Sequence, residues 1–170
     1  MRISHSESTA SGHVSSDPRN EAVRRADPKN ILHSGHIHPD LSKRVGTLIE
    51  TASQNGMNLY VTDGYRSLAD QANLLNSGRG VTHARPGHSF HNYGLAVDIA
   101  FRNAKGNPSW DLHHDWKKLG ELGKKTGLFW GGDWHHPDLP HFQLLPNDQI
   151  SRVGDLTREF GLGKMWEMIR

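Results

Sequence analysis

The sequence predicts one loop-rich domain that mixes helices with short strands. Apolar residues recur at helical spacing over several segments, short apolar or alternating runs stand between them, and glycine numbers 18 in 170 residues. The length suits a single domain with a real core, although only 34% of residues are hydrophobic.

The elements follow in order. Residues 1 to about 36 are rich in Ser, His, Arg, Asp and Asn and read as a flexible or loosely docked extension, either a solvated tail or a partner-binding segment. His33, His36 and His38 cluster there with no carboxylate at helical spacing, which reads as surface histidines. The folded domain, residues 37–170, opens at Pro39-Asp40. Asp40 is the expected cap of a helix carrying Leu41, Val45, Leu48, Ile49 and Ala52 and ending near Asn55-Gly56. Leu59-Tyr60-Val61-Thr62 reads as a strand turned by Asp63-Gly64. Ser67 caps a second helix, with Asp70 as a capping-box partner, that runs to Asn76-Ser77-Gly78. The polar loop from Thr82 to Gly87 suits the rim of a site. From Leu95 to Phe101 the alternation puts Val97, Ile99 and Phe101 on one face, and Asp98 between Ala96 and Ala100 on the other. A third helix is expected over about 109–125 with Trp116, Leu119 and Leu122 buried. A short strand at His141–Leu145 follows, with His141, Gln143 and Leu145 on one face. A C-terminal helix from about 148 to 169 carries Ile150, Val153, Leu156 and Phe160 as a docking stripe.

Composition narrows the function classes. Lys plus Arg is 20 and Asp plus Glu is 18, intermixed along the chain, with no basic stripe interleaved with aromatics. Nucleic acid is therefore not an expected partner. Cysteine is absent, so any metal must sit on His and carboxylate side chains. The first residues lack an apolar core, and no long apolar run occurs, so neither a secretory signal nor a membrane span is expected.

The chemistry concentrates in Ser89-Phe90-His91-Asn92-Tyr93-Gly94-Leu95-Ala96-Val97-Asp98 and in Asp138-Leu139-Pro140-His141. A loop histidine, His91, folded over the following strand can share a metal with Asp98. His141 completes a tripod if its strand pairs with Asp98 and His141 on one face. Small neighbours leave space above Asp98, and burying that carboxylate unpaired would cost several kcal/mol, so it calls for a cation. Two histidines and a carboxylate with an open fourth position make a catalytic zinc site. Asp138, on the loop leading into the second strand, can accept a proton from a metal-activated water and return it to a leaving amine. His88, three residues before His91, is the rival ligand.

These residues resemble a known family. Ser89-x-His91-x-x-Gly94-x-Ala96-x-Asp98 with Asp138-x-Pro140-His141-Phe142 is similar to the LAS-group zinc peptidases, which include D-alanyl-D-alanine carboxypeptidases and dipeptidases and share their fold with the Hedgehog signalling domain. Gly64-Tyr65-Arg66-Ser67, Ala84-Arg85-Pro86-Gly87 and Trp130-Gly131-Gly132-Asp133-Trp134 extend the likeness toward the L-alanyl-D-glutamate endopeptidases of phage endolysins, over roughly residues 38–146. The resemblance implies an α+β domain with a small antiparallel sheet flanked by helices, one zinc on His91, Asp98 and His141, and Asp138 as catalytic base. It implies a peptidoglycan stem peptide as substrate. Arg66 then holds a substrate carboxylate or stabilises the oxyanion, unless it serves as a helix-end salt bridge. Ser89 either hydrogen-bonds substrate or caps its own turn; Tyr93, Trp130 and Trp134 either line the cleft or pack.

The segment from Trp134 to Asp138 departs from the endolysin pattern. It is shorter, and it carries His135 and His136 where an aromatic is often found, so the cleft rim is where this chain differs. The expected activity is cleavage of the L-alanyl-D-glutamate bond. The alternatives are a D-alanyl-D-alanine carboxypeptidase and a non-catalytic wall-binding module, the latter disfavoured because it has no need of Asp138. A monomer that acts on the cell wall after holin-type release or another export route completes the expectation.

Overall fold

The computed structural model describes residues 18–80 and 82–169. Its helices are α1 (Pro18–Ala26), α2 (Pro39–Gln54), α3 (Leu68–Asn76), α4 (Trp116–Lys125), α5 (Ile150–Phe160) and α6 (Leu162–Met168). The strands are β1 (Leu59–Asp63), β2 (Ala96–Arg102), β3 (Pro108–Ser109), β4 (Phe129–Trp130) and β5 (His141–Gln143). They form one antiparallel sheet in the order β1-β2-β5-β4, with β3 on the far part of β2. This is an α+β fold in which helices flank a small sheet.

Alternation along β2 and β5 sorts the two faces of the sheet. Val97 lies opposite Phe142, and both are fully buried in the core with Leu41, Val45, Leu48, Ile49 and Ala52 of α2. Helix α4 joins this layer through Gly123, which lets the Phe142 ring approach closer than any side chain would allow. The opposite face carries Asp98 against His141 and Ala96 against Gln143. A bulge at Thr62 in β1 brings Asp63 opposite Asp98, so Asp63, Asp98 and His141 form one row across the sheet.

Several elements differ from the sequence expectation. Residues 18–36 belong to the folded body rather than to a flexible extension. Ala26 and Leu32 are buried in the core, and the buried Asp27 carboxylate accepts the backbone N–H groups of Ile31 and Leu32 at 2.8 and 2.9 Å. The scattered apolar residues suffice because α2 and β1 offer a surface to cover. The portion of that expectation over residues 1–17 lies outside the described residues. Helix α2 is capped by His38, not Asp40: His38 Nδ1 accepts Asp40 N–H at 3.0 Å. His38 is buried, and its Nε2 reaches Trp166 O at 3.3 Å. Helix α4 begins at Trp116 instead of near 109, because Ser109 pairs with Phe101 and Asp115 Oδ1 accepts Lys118 N–H. The C-terminal segment is two helices, broken where Gly161 takes φ 85°. Val153 and Met165 are buried, while Phe160 stays exposed.

Candidate active site

Each metal-competent side chain is placed by a local device. His91 lies in a single 3-10 turn, Phe90–Tyr93, whose Ser89 hydroxyl accepts His91 N–H and whose Asn92 side chain bonds back to the Ser89 N–H. Gly94 ends the turn at φ 67°, so close to His36 O and the Trp166 ring that a Cβ there would collide with both. Asp98 and His141 face each other across paired strands. His91 Nε2 and His141 Nδ1 stand 3.3 and 3.4 Å from Asp98 Oδ1.

Those separations match a shared ion. Zinc bonds of about 2.0–2.1 Å at tetrahedral angles put ligand atoms roughly 3.3 Å apart. Asp98 Oδ1 is a buried carboxylate oxygen without a hydrogen-bond partner, a costly state that a cation relieves. The imidazoles are held in the tautomers a metal requires. His91 Nδ1 donates to Gly64 O at 2.7 Å, leaving Nε2 to face Asp98. Gln143 Nε2 donates to Leu145 O and Asn147 Oδ1, both at 2.8 Å. Its Oε1 must therefore accept from His141 Nε2, at 2.8 Å, which leaves His141 Nδ1 free.

The electrostatics follow this geometry. Burial works against the charge on Asp98, but the neighbouring imidazoles of His91 and His141 outweigh it and hold its carboxyl well below the usual range. For His91 burial likewise opposes charge, and Asp98 prevails to raise it. Asp138 lies on the loop before β5, half-exposed, with Oδ2 3.9 Å from His141 Nδ1. Its partial burial, then the Asp98 charge, push it above an ordinary aspartate against the pull of His141, His91 and Arg66.

Asp138 owes its position to Gly131. Asp138 N donates to Gly131 O at 2.9 Å, and a Cβ on Gly131 would lie 2.5 Å from Asp138 O. The Trp130-Gly131-Gly132 motif is thus a backbone cradle. Trp130 itself is buried, its Nε1 donating to Leu139 O at 2.8 Å, and does not line the cleft.

A cleft of about 840 Å³ opens over the site, lined among others by Arg66, Ser89, Trp134, His136 and Asp138. Arg66 is paired with Asp63 and donates Nη1 to Gln71 Oε1 at 2.8 Å, so its salt-bridge role and its place in the cleft coexist. The Trp134 ring lies 4.9 Å from that of His141. Tyr93, expected among the substrate-binding residues, faces inward: it is buried, and its hydroxyl donates to Gly87 O at 2.7 Å beside Gly154. It holds the rim loop to the body instead. His88 lines the cleft but stands outside the three-donor group; His136 lines it as well, whereas His135 does not. The sequence pattern assigns no site role to Gln143, Asp63 or Gln71, and Asp63 reads there only as a turn residue. Gln143 was placed on the face of His141, and period-two spacing was the available signal. Fully buried Gln71 left none.

A family model described as D-alanyl-D-alanine carboxypeptidase matches residues 82–144. The peptidoglycan L-alanyl-D-glutamate endopeptidase CwlK of Bacillus subtilis is 36% identical over 125 residues, covering 65% of this chain and 75% of that protein. The chain belongs to the LAS-group zinc peptidases. Solved structures of such peptidases share the fold. The Serratia marcescens L-Ala D-Glu endopeptidase ChiX superposes with a TM-score of 0.56 at 24% identity, over 81% of this chain and 90% of that one. The vancomycin-resistance D,D-pentapeptidase VanY, in complex with Zn(II), gives 0.52 at 19% identity, over 78% and 85%.

Proposed function

We propose that this LAS-group peptidase hydrolyses the L-alanyl-D-glutamate bond of peptidoglycan stem peptides. The observation that carries the proposal is a His91, Asp98 and His141 cluster with Asp138 beside it, in a chain 36% identical to an L-alanyl-D-glutamate endopeptidase. His91 Nε2, Asp98 and His141 Nδ1 would hold one zinc ion, which acidifies a bound water and polarises the scissile carbonyl.

The chain's own groups supply the rest. Asp138 takes the proton of the attacking water and delivers it to the nitrogen of the departing amine. Its position at the cleft, close to His141 yet half in solvent, suits both transfers. Arg66, oriented by Asp63 and Gln71, presents a fixed cation to a stem-peptide carboxylate or to the oxygen on which charge develops. Trp134 walls the cleft beside His141, and the Ser89 hydroxyl lines it while capping its turn. The enzyme acts as a monomer. The wall is its place of action, reached through holin-type release or another export route.

Digestion of purified sacculi, followed by mass spectrometry of the products, tests the bond. Peptides with a new N-terminal D-glutamate are expected; release of D-alanine alone would establish the carboxypeptidase reaction instead. Asp138→Asn is expected to keep zinc and lose hydrolysis. In the zinc-free protein Asp138 should titrate above the ordinary aspartate range, about pH 4, because its partial burial and the Asp98 charge disfavour the ionised form, and carboxyl titration followed by NMR checks this.

A further inference from the structure

We propose a second divalent-metal site at Asp111, His113 and His114, on the loop between β3 and α4. Among the described residues, this is the other group of three imidazole or carboxylate side chains whose donor atoms all lie within 4.8 Å of one another. Two imidazoles and a carboxylate, without thiolate, suit a first-row ion of the zinc, nickel or copper class rather than calcium or magnesium.

Half of this site is already rigid. The His114 ring stacks on Phe101 with centroids 4.5 Å apart and planes inclined by 12°. Its Nε2 lies 2.8 Å from Ser109 Oγ, which also accepts Asp111 N–H at 3.5 Å. Donation from His114 Nε2 leaves Nδ1 as its ligand atom, the same outer support that Gln143 gives His141. The loop backbone is tied as well: Asp111 O receives both Trp116 Nε1 at 3.0 Å and His114 N at 3.3 Å.

The other half is free to close. The His113 ring tilts over His114 with centroids 4.3 Å apart, and its Nδ1 stands 3.9 Å from Asp111 Oδ2. Both side chains are more than two-thirds exposed, so rotation can bring their donors to the roughly 3.3 Å spacing of a tetrahedral ion. The wider spacing and the solvent exposure make this the weaker of the two sites. Trp110, one residue before Asp111, lines the catalytic cleft. A bound ion therefore ties down the exposed half of the loop that carries a cleft-wall aromatic.

Metal counting on the full chain tests the proposal. After equilibration at micromolar free Zn2+, the wild type is expected to hold two ions per chain. His113→Ala and Asp111→Asn, both at exposed positions, should each hold one, with the second-site affinity lowered at least about tenfold. One ion in the wild type, or two persisting in both variants, would overturn the proposal. His141→Ala separates the two assignments: it should keep only the loop ion, and two ions there would count against the catalytic ligands without touching the loop.

Discussion

Asp98 shows most sharply what a single residue must satisfy in this protein. Its Oδ1 is buried between two imidazole nitrogens, and no N–H of the described residues reaches it. The residues that make such a carboxylate tolerable are those that orient its neighbours, and the buried Gln143 is the one to test. Gln143→Leu should weaken zinc binding about 10- to 100-fold, measured by chelator competition, because His141 loses the acceptor that fixes its tautomer. Gln143→Glu preserves an acceptor and should restore most of the affinity. Equal zinc retention in both variants would show that the tautomer is set elsewhere. The ligand types themselves were readable in the sequence, since only His and carboxylates can bind metal in a chain without cysteine. The role of Gln143 was not, because its amide is locked by Leu145 and Asn147 through a bend after β5 that no spacing rule describes.

At the scale of elements, a paired row of strands and two glycine contacts place the chemistry. The register of β2 on β5 puts Asp98 opposite His141, and a slip of one residue would turn one of them into the core. Gly131 lets the loop before β5 pass close enough to suspend Asp138 over the site. Gly131→Ala would drive a Cβ into the Asp138 carbonyl and against the Cβ atoms of Asp138 and His141. Hydrolysis should fall by about 100-fold, since a displacement of roughly 1 Å at a catalytic group costs that much. Stability should fall by about 1–3 kcal/mol, as for other overpacked sites. Steady-state kinetics and thermal melting check both, and wild-type turnover would refute the cradle. The helix at α3 was legible to the residue, because Ser67 caps it by accepting Asp70 N–H. The start of α4 was not: Ser109 pairs with Phe101 across a short hairpin whose second strand, Pro108–Ser109, is only two residues long and leaves no alternation to read.

The whole molecule closes around the site from both ends of the described chain. Helix α1 and the Asp27 turn cover α2 and β1, while α6 packs its Met165 into the core and sends Trp166 Nε1 to Tyr93 O at 2.7 Å. Trp166 also receives the His38 ring, so the cap of α2, the turn bearing His91 and the last helix share one junction. Met165→Ala should cost about 2–5 kcal/mol in denaturant unfolding, the range for emptying a fully buried position of this size. A loss below about 1 kcal/mol would mean that α6 contributes little to the fold.

The sequence by itself determined the donor chemistry, the family resemblance and most helix positions, because ligand type, motif spacing and capping are local properties of the chain. Tertiary structure alone decided that residues 18–36 fold onto the body, that Tyr93 turns inward, and that Gln143, Asp63 and Gln71 hold the working groups in place. Those outcomes depend on which surface each side chain meets, and long-range packing sets that surface.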